Sequence, residues 1–363
     1  MVVVDHEELR SYITATCLYL GTPSTTADAV AHSLVEADLR GHESHGVMRM
    51  PIYTEKVESG VIDPSAEPNI ERITDQAALI DGRHAFGQYV GRVAVDELLS
   101  VSKNGIGVVG IRNATHLGRI GEWAEAIANE GLLFIALVKG TSDRVAPPGS
   151  VERRLATNPI AFGIPTFSAV GFPIVLDIAT SQVAHGKVRA KAKNNASLPE
   201  GWAMDDNGTP LTNATAYVED SIGAMLPLGG MVAGHKGFGL SVIVELFSSL
   251  TGDADVRGQD TPTTTGNAAT FVALDPTMFS PKAAIETRIT AFIERIRTTD
   301  YSAAVPVGAA AAEPGQVPGE PEYRHASRQL ETGIDVSPGV AASLLELAER
   351  HGLMDELPKQ LHG

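Results

Sequence analysis

The sequence predicts an α/β fold, and three observations carry this prediction. Short apolar runs rich in β-branched residues alternate with helical segments from about Ala77 onward. Helical periodicity occupies both ends of the chain. No G-x-G-x-x-G turn follows a predicted strand, so this α/β pattern lacks the standard dinucleotide-binding turn.

The first stretch predicts two helices. Asp5 can cap the first helix because Glu8 follows three residues later, and Gly21 ends it. The second helix starts near Ser24 or Thr25 and stops at Gly41. A histidine-containing turn follows immediately.

The rest of the chain alternates between strands and helices. The predicted strands are 107–111, 134–138, 173–176 and 270–274, and the predicted helices are 121–129 and 238–250. Both helices are expected to begin just after a histidine turn. Residues 305–322 are rich in Ala, Pro and Gly and predict an extended surface connection. Ser337 and Pro338 open a final helix that ends at Gly352.

Composition limits the possible partners and compartment. The 363 residues carry a net charge of −16, which argues against nucleic acid or an anionic membrane as the main partner. The single cysteine, Cys17, excludes an internal disulfide and a multi-cysteine metal site. The amino terminus has no basic region followed by an apolar stretch. We therefore expect a soluble cytoplasmic protein.

Histidine-containing turns at the ends of apolar segments are the candidate site. Ser44, His45 and Arg49 follow the second helix, where they can hold a carboxylate and pass a proton to a neighbouring oxygen. The alternative is a surface loop whose histidine caps a helix end. His116 lies just before a helix amino terminus, where the dipole favours the neutral ring. A hydrogen-bonded turn histidine is the alternative for His116.

Two further residues have open interpretations. Asp177 ends an apolar run, where it can cap the next turn, orient a catalytic histidine or bind a cofactor hydroxyl. Lys236 lies between glycines before a predicted helix and can reinforce an anion site there.

A metal site is the main rival interpretation. His42, His45 and His116 would be the ligands of a metal-dependent hydrolase, but no further ligands accompany them at metal-binding spacing. We predict no metal. The other alternative is a structural or ligand-binding protein that keeps the fold of an enzyme but has no catalytic activity.

Many short motifs, in one order, resemble the type-2 malate/lactate dehydrogenases. They cover nearly the whole chain and lie at 39–49, 113–118, 145–149, 156–163, 176–181, 184–187, 198–202, 226–230 and 317–322. The resemblance implies a non-Rossmann, mixed-sheet α/β fold like that of sulfolactate dehydrogenase, with a helical N- and C-terminal region. It implies an N-terminal helical region (1–70) packing with 280–363, a substrate and catalytic segment (71–115), a nicotinamide-binding domain (116–280), and a C-terminal connection with helices (281–363).

The resemblance also implies an NAD- or NADP-dependent oxidoreductase, and a homodimer. The substrate would be a small 2-hydroxy or 2-oxo acid, malate-like or lactate-like; the alternative is a cyclic imino acid such as piperideine- or pyrroline-2-carboxylate. His116 and His45 match catalytic positions, with Asp177 as a stabiliser of an imidazolium. The implied substrate contacts are Ser44, Arg49, Thr157 and Asn158, and the implied cofactor contacts are Ser142, Asp177, Ile178, Ala179, Lys236, Pro318, Gly319 and Glu320.

Overall fold

The computed structural model describes residues 1–258, 266–302 and 313–362. The helices are α1 (His6–Tyr19), α2 (Ser24–Leu39), α3 (Met50–Glu58), α4 (Gly87–Val101), α5 (Ile120–Asn129), α6 (His185–Lys193), α7 (Ala214–Val218), α8 (Gly230–Thr251), α9 (Lys282–Arg297), α10 (Glu320–Thr332) and α11 (Pro338–His351). The strands are β1 (Val2–Val4), β2 (Asn69–Thr74), β3 (Ala77–Asp81), β4 (Ile106–Ala114), β5 (Leu133–Lys139), β6 (Ile160–Ile164), β7 (Ile174–Ile178), β8 (Ala203–Met204), β9 (Ala224–Met225), β10 (Asn267–Leu274) and β11 (Ile334–Val336).

Seven strands form one mixed sheet in the order β2-β3-β4-β10-β5-β6-β7. Only β3 and β4 pair in parallel, and every other neighbouring pair in this sheet is antiparallel. A doubly wound dinucleotide-binding sheet is mostly parallel. The predicted non-Rossmann, mixed-sheet α/β fold is therefore confirmed.

Helices cover the two faces of the sheet. In β4, Val109 and Ile111 are fully buried and belong to the same core as α4 and α5. Gly110 lies between them and faces the opposite side, where a Cβ would come within 2.0 Å of the carbonyl oxygen of Thr251 at the end of α8. A glycine is needed there because the helix end lies directly on the strand.

The two ends of the chain share a second core. Strand β1 pairs antiparallel with β11, and the Tyr12 hydroxyl donates a hydrogen bond of 2.9 Å to the carbonyl of Leu344 in α11. Helices α1, α2, α3 and α11 contribute to this core, whereas Ile293 of α9 packs against Phe172 beside β7. The segments 71–115 and 116–280 both supply strands to the one large sheet, and the domain boundaries stay a prediction.

Between β5 and α8 the chain builds a smaller subdomain. The antiparallel strands β8 and β9 and the helices α6 and α7 surround Val188, Tyr217 and Met225, which are almost completely buried. This subdomain carries residues 185–189 towards the histidine turn after α2. No helix in the described part of the chain is both long and apolar enough to cross a membrane.

The predicted strands and most predicted helices are confirmed, but α8 differs from its prediction. It begins at Gly230 rather than near Phe238, with a kink at Ala233, so Lys236 lies inside the helix instead of in a preceding turn. Gly237 is needed for close packing, because a Cβ there would lie 2.3 Å from the backbone nitrogen of Leu228. The predicted connection at 305–322 lies partly outside the described residues, and its end forms the start of α10.

Two glycines of α8 give a matched test of this packing. We expect Gly237→Ala to lower the free energy of unfolding by about 1–3 kcal/mol, because the added methyl group must displace the Leu228 backbone. Gly239→Ala is the control: nothing lies within 4 Å of a Cβ there, so the helix should gain about 1 kcal/mol. Urea denaturation followed by circular dichroism measures both variants. Equal effects would contradict the close-packing role of Gly237.

Candidate active site

The turn after α2 is held by a buried carboxylate. Asp38 accepts a hydrogen bond of 2.8 Å from the backbone N–H of Val47, which fixes two short 3-10 turns, Glu43–His45 and Val47–Arg49. A Cβ on Gly46 would lie 1.8 Å from a carboxylate oxygen of Asp38, so only glycine fits there. Burial raises the pKa of Asp38 to about 8. Sequence analysis did not identify this residue.

The structure brings His45 and His116 together across 71 positions of sequence. Their rings stack with centroids 5.4 Å apart and planes 17° apart. His116 follows β4 and precedes α5, and His45 lies in the turn after α2. The predicted convergence of these imidazoles is therefore a feature of the fold.

A side-chain hydroxyl lies within hydrogen-bond distance of Nδ1 in each of the two histidines. The Ser44 hydroxyl lies 3.1 Å from Nδ1 of His45, and the Tyr53 hydroxyl lies 2.7 Å from Nδ1 of His116. The side-chain amide of Gln88 donates a hydrogen bond of 2.8 Å to the same Tyr53 oxygen. Sequence analysis missed Tyr53 and Gln88; Tyr53 follows Arg49 by one helical turn, which was the available signal.

Burial and the positive charge of the site both keep the histidines neutral. Burial, the Arg49 charge and the His45 ring hold the pKa of His116 well below its usual value. Burial, Arg49 and two more distant cationic groups lower the pKa of His45 to about 3. Burial also lowers the pKa of Arg49, whose Nε donates a hydrogen bond of 2.6 Å to the Ser44 carbonyl.

The Asp177 side chain is hydrogen-bonded to the start of α5 rather than to a histidine. Its carboxylate accepts a hydrogen bond of 2.7 Å from the backbone N–H of Gly121, and burial raises its pKa while Arg119 opposes the rise. No hydrogen bond or ion pair among the described residues joins Asp177 to His45 or His116. Asp177 thus binds the start of α5 rather than the turn that follows β7, and the Tyr53 hydroxyl lies at Nδ1 of His116, where Asp177 could have oriented the ring.

Asn158 is also placed differently from its predicted part in substrate binding. It is fully buried, its oxygen accepts from the Gly140 N–H at 3.0 Å, and its amide nitrogen donates to Glu245 at 3.1 Å. The amide nitrogen also contacts Ser241 at 3.2 Å. This arrangement favours a structural role. The carbonyl of neighbouring Thr157 accepts from the Thr180 N–H at 2.9 Å.

Two of the segments predicted to contact a cofactor, 177–179 and 318–320, lie at β7, the first at its end and the second beside its start. The N–H of Val175 donates to the Pro318 carbonyl at 3.1 Å, so 318–320 lies along the free edge of this strand. The Leu228 N–H donates to Thr180 at 2.9 Å and so ties the end of β7 to the start of α8. Ile178 and Ala179 are half-buried there, and Ser142 is exposed in the loop that Asn158 holds.

Two of these residues have structural contacts of their own. Glu320 is buried and paired with Arg297 at 3.1 Å and with Arg324 at 2.7 Å, while Gly319 is the N-cap of α10 and has a φ of 87°. The Glu320 side chain is thereby occupied. Lys236 is exposed and has no ion pair with any described residue.

The histidines do not form a metal centre in the described part of the chain. No group of three or more His, Cys, Asp or Glu side chains there could hold a metal ion. His42 instead lies 3.4 Å from Glu322 of α10. The ligand set of the hydrolase alternative is thus not assembled.

Comparison with known proteins identifies the family. Residues 4–345 match the model described as Malate/L-lactate dehydrogenase. The chain is 34% identical to a malate dehydrogenase of Pyrococcus abyssi over 97% of this chain and 96% of that protein. It is 36% identical to a Delta(1)-pyrroline-2-carboxylate/Delta(1)-piperideine-2-carboxylate reductase of Pseudomonas putida over 69% of this chain and 72% of that protein.

A solved structure agrees with this result. The sulfolactate dehydrogenase of Methanocaldococcus jannaschii matches with a TM-score of 0.81 and 30% identity, over 97% of this chain and 98% of that chain. The chain belongs to the malate/L-lactate dehydrogenase family, and it is an oxidoreductase. The family predicted from the motifs is confirmed.

Proposed function

We propose that this oxidoreductase is an NAD- or NADP-dependent dehydrogenase of a small 2-hydroxy acid, malate-like or lactate-like. The overall reaction converts a 2-oxo acid, a proton and the reduced nicotinamide into a 2-hydroxy acid and the oxidised nicotinamide. The observation that carries the proposal is the stacked pair His45 and His116 beside the half-buried cation Arg49. A proton-transfer group next to a carboxylate-binding group is what reduction at C2 requires of the protein.

The segments around the end of β7 fit a nicotinamide cofactor. Ile178 and Ala179 form a half-buried apolar surface. Lys236 is exposed, and its positive charge has no carboxylate partner among the described residues. Ser142 and residues 318–320 complete the set that would hold it. When bound, the cofactor supplies or accepts the hydride at C2 of the substrate.

The protein's own part is to hold the acid and move a proton. Arg49 binds the substrate carboxylate through its terminal guanidinium nitrogens, because among the described residues only its Nε has a hydrogen-bond partner. Negative charge that grows on the C2 oxygen is neutralised by a proton from His116, with His45 stacked behind it. In the oxidation direction, neutral His116 takes the hydroxyl proton.

Tyr53 suits both protonation states of His116. When the ring is neutral with its proton on Nε2, Tyr53 donates to Nδ1 and accepts from Gln88. When the ring is charged, Nδ1–H donates to Tyr53, and the Gln88 amide can turn its oxygen to accept the Tyr53 proton. The Gln88 oxygen is buried without another partner in the described residues.

The cyclic imino acid reductase is the second candidate, favoured by the relative from Pseudomonas putida. An iminium product of proton transfer would gain from a nearby carboxylate. Asp177, the carboxylate predicted to stabilise an imidazolium, accepts a hydrogen bond from the Gly121 N–H and lies on neither histidine. The arrangement therefore supports a 2-oxo acid better, and a panel of 2-oxo and cyclic imino acids with NADH and NADPH separates the two.

The role of His116 can be tested by substitution. We expect His116→Gln to lower kcat/KM about 10²–10⁴-fold, because the proton must then come from water, while NADH affinity measured by fluorescence changes little. His6→Gln, at the far N-terminal helix beside Glu7, is the control. Turnover in His116→Gln equal to that of the control would refute the assignment.

The pH dependence of kcat/KM for oxidation is a second test of the role of His116. Because the pKa of His116 is held well below 6.5, its base form persists as the pH falls. We expect kcat/KM for oxidation to stay constant through pH 6.5 and to fall only at a lower pH.

Tyr53 is a positioning residue in this proposal, and Tyr53→Phe tests it. Loss of the hydroxyl leaves Nδ1 of His116 and the Gln88 amide without a partner, so we expect kcat to fall about 10–100-fold with a small change in KM. The acid limb of the oxidation profile should move to lower pH, since the imidazolium loses its acceptor. Tyr89→Phe, whose hydroxyl bonds exposed Glu67, is the control and should keep wild-type kinetics.

The proposed assembly is a homodimer through α8. This helix exposes an apolar stripe of Leu240, Ile243, Phe247 and Leu250, with exposed fractions of 40–75%. Residues spaced three and four apart form one continuous face.

A cytoplasmic location stays a prediction.

Sedimentation velocity tests the dimer. We expect Ile243→Glu to give monomers at concentrations where the wild type is dimeric, because a charge would be buried without a partner. Leu330→Glu, on an exposed position of α10, is the control. A wild-type monomer, or a dimeric Ile243→Glu, would rule out this interface.

A further inference from the structure

A buried ion network lies between the end of β5, the start of β6 and the second half of α8. Its centre is the buried carboxylate of Glu245. Oε2 of Glu245 accepts hydrogen bonds from the Asn158 amide nitrogen at 3.1 Å and from Nε of Arg257 at 3.0 Å. Oε1 has no hydrogen-bond partner among the described residues and lies 3.8 Å from Nζ of Lys139. One carboxylate thus orients an amide and a guanidinium that come from different segments.

Both of these partners of Glu245 hold the backbone of Gly140, at the start of the loop after β5. Because a carboxylate can only accept, the Asn158 nitrogen faces Glu245, and the Asn158 oxygen accepts the Gly140 N–H at 3.0 Å. Nη2 of Arg257 donates to the Gly140 carbonyl, and Nη1 of Arg257 is paired with Asp143. Both backbone groups of Gly140 therefore depend on side chains that Glu245 fixes.

Residues 141 and 142 of this loop have few contacts of their own. They are exposed and hydrogen-bond to no other described residue. The next fixed point is Arg144, whose N–H donates to the Leu155 carbonyl at 2.8 Å. Because the loop lies outside the helices and strands, its conformation depends on the side chains that reach it, and Arg257 contacts it at two points.

The network is balanced in charge, which argues against an anion-binding role for it. Lys139 and Arg257 are both paired with Glu245, and two cations thus face two carboxylates once the pair of Arg257 with Asp143 is included. Buried ion pairs contribute little net stability, and their best-attested role is to specify one arrangement of the chain. The arrangement specified here is that of the loop that carries Ser142.

We propose that Arg257 and Glu245 are positioning residues for the nicotinamide cofactor, because they hold loop 140–143 in the conformation in which Ser142 contacts it. Neither residue itself touches the cofactor. A loop that is ordered before binding does not have to be ordered on binding, so the apparent dissociation constant is lower. This inference rests on the proposed function for the cofactor and on the predicted contact of Ser142.

Cofactor binding without substrate gives the first test. NADH and NADPH are titrated separately against the protein, and nicotinamide fluorescence gives a Kd for each. We expect Arg257→Gln to raise Kd about 10-fold for the cofactor that binds, because the loop then adopts its binding conformation only about a tenth of the time. We expect kcat at saturating cofactor and acid to change less than about twofold, since His116 and its contacts are untouched.

Arg112→Gln is a matched control for this test. Arg112 pairs with Asp81 at 3.0 Å and with Asp253, which lies in the same segment after α8 as Arg257. The control removes ion pairs of that segment without touching loop 140–143. We therefore expect a lower Tm and an unchanged Kd.

Asp143→Asn tests the loop side of the same contact. Asp143 is exposed, so this variant should fold even if Arg257→Gln does not. We expect Kd to rise about threefold, less than in Arg257→Gln, because Arg257 still holds Gly140 and Glu245. The double variant should have the Kd of Arg257→Gln, since both changes remove the same interaction.

The outcomes separate this inference from the proposed function. A wild type that binds neither NADH nor NADPH would overturn both. If the wild type binds a cofactor, an unchanged Kd in Arg257→Gln, or in Asp143→Asn where Arg257→Gln does not fold, would overturn this inference alone. An equal rise of Kd in Arg257→Gln and Arg112→Gln would also overturn it, because the effect would then be a general loss of stability.

Discussion

The site depends on the hydrogen bond from the Val47 N–H to the buried carboxylate of Asp38. That contact fixes the path of the chain at the end of α2, and Gly46 makes room for it. Because the path is fixed, His45 stacks on His116 and Arg49 reaches back to the Ser44 carbonyl. The histidine turn therefore has a defined geometry although it consists of short 3-10 turns, which are weak elements by themselves.

The electrostatics of the site follow from burial among cations. Arg49 lowers the pKa of both stacked histidines, and no described carboxylate is bound to it. Such an arrangement costs stability in the free protein, and the proposed anionic substrate would remove that cost when it binds. In our proposal the same charge that keeps His116 neutral before binding attracts the acid on which His116 acts. The bound carboxylate then offsets the guanidinium and favours protonation of the ring.

Close backbone packing brings the parts of this site together. Gly110 lets the end of α8 lie on β4, Gly237 lets α8 approach Leu228, and Gly186 lets α6 approach Ser44. In each case a methyl group would clash with its neighbour. The sequence analysis noted the segments that contain Gly186 and Gly237. Glycine is required at both positions because a neighbouring segment packs closely against the backbone, and not because the chain turns there.

The sequence by itself determined the family, the α/β class and most helix and strand positions, because periodicity, caps and motif order are local properties of the chain. It also indicated His45, His116 and Arg49, since these residue types stand at element ends. The start of α8 was misplaced because glycines that serve tertiary packing resemble glycines that serve a turn. Only the tertiary structure decided that Tyr53 and Gln88 support His116, that Asn158 is buried and that Asp177 bonds the start of α5. These facts depend on distances between residues far apart in the chain, which no local pattern encodes.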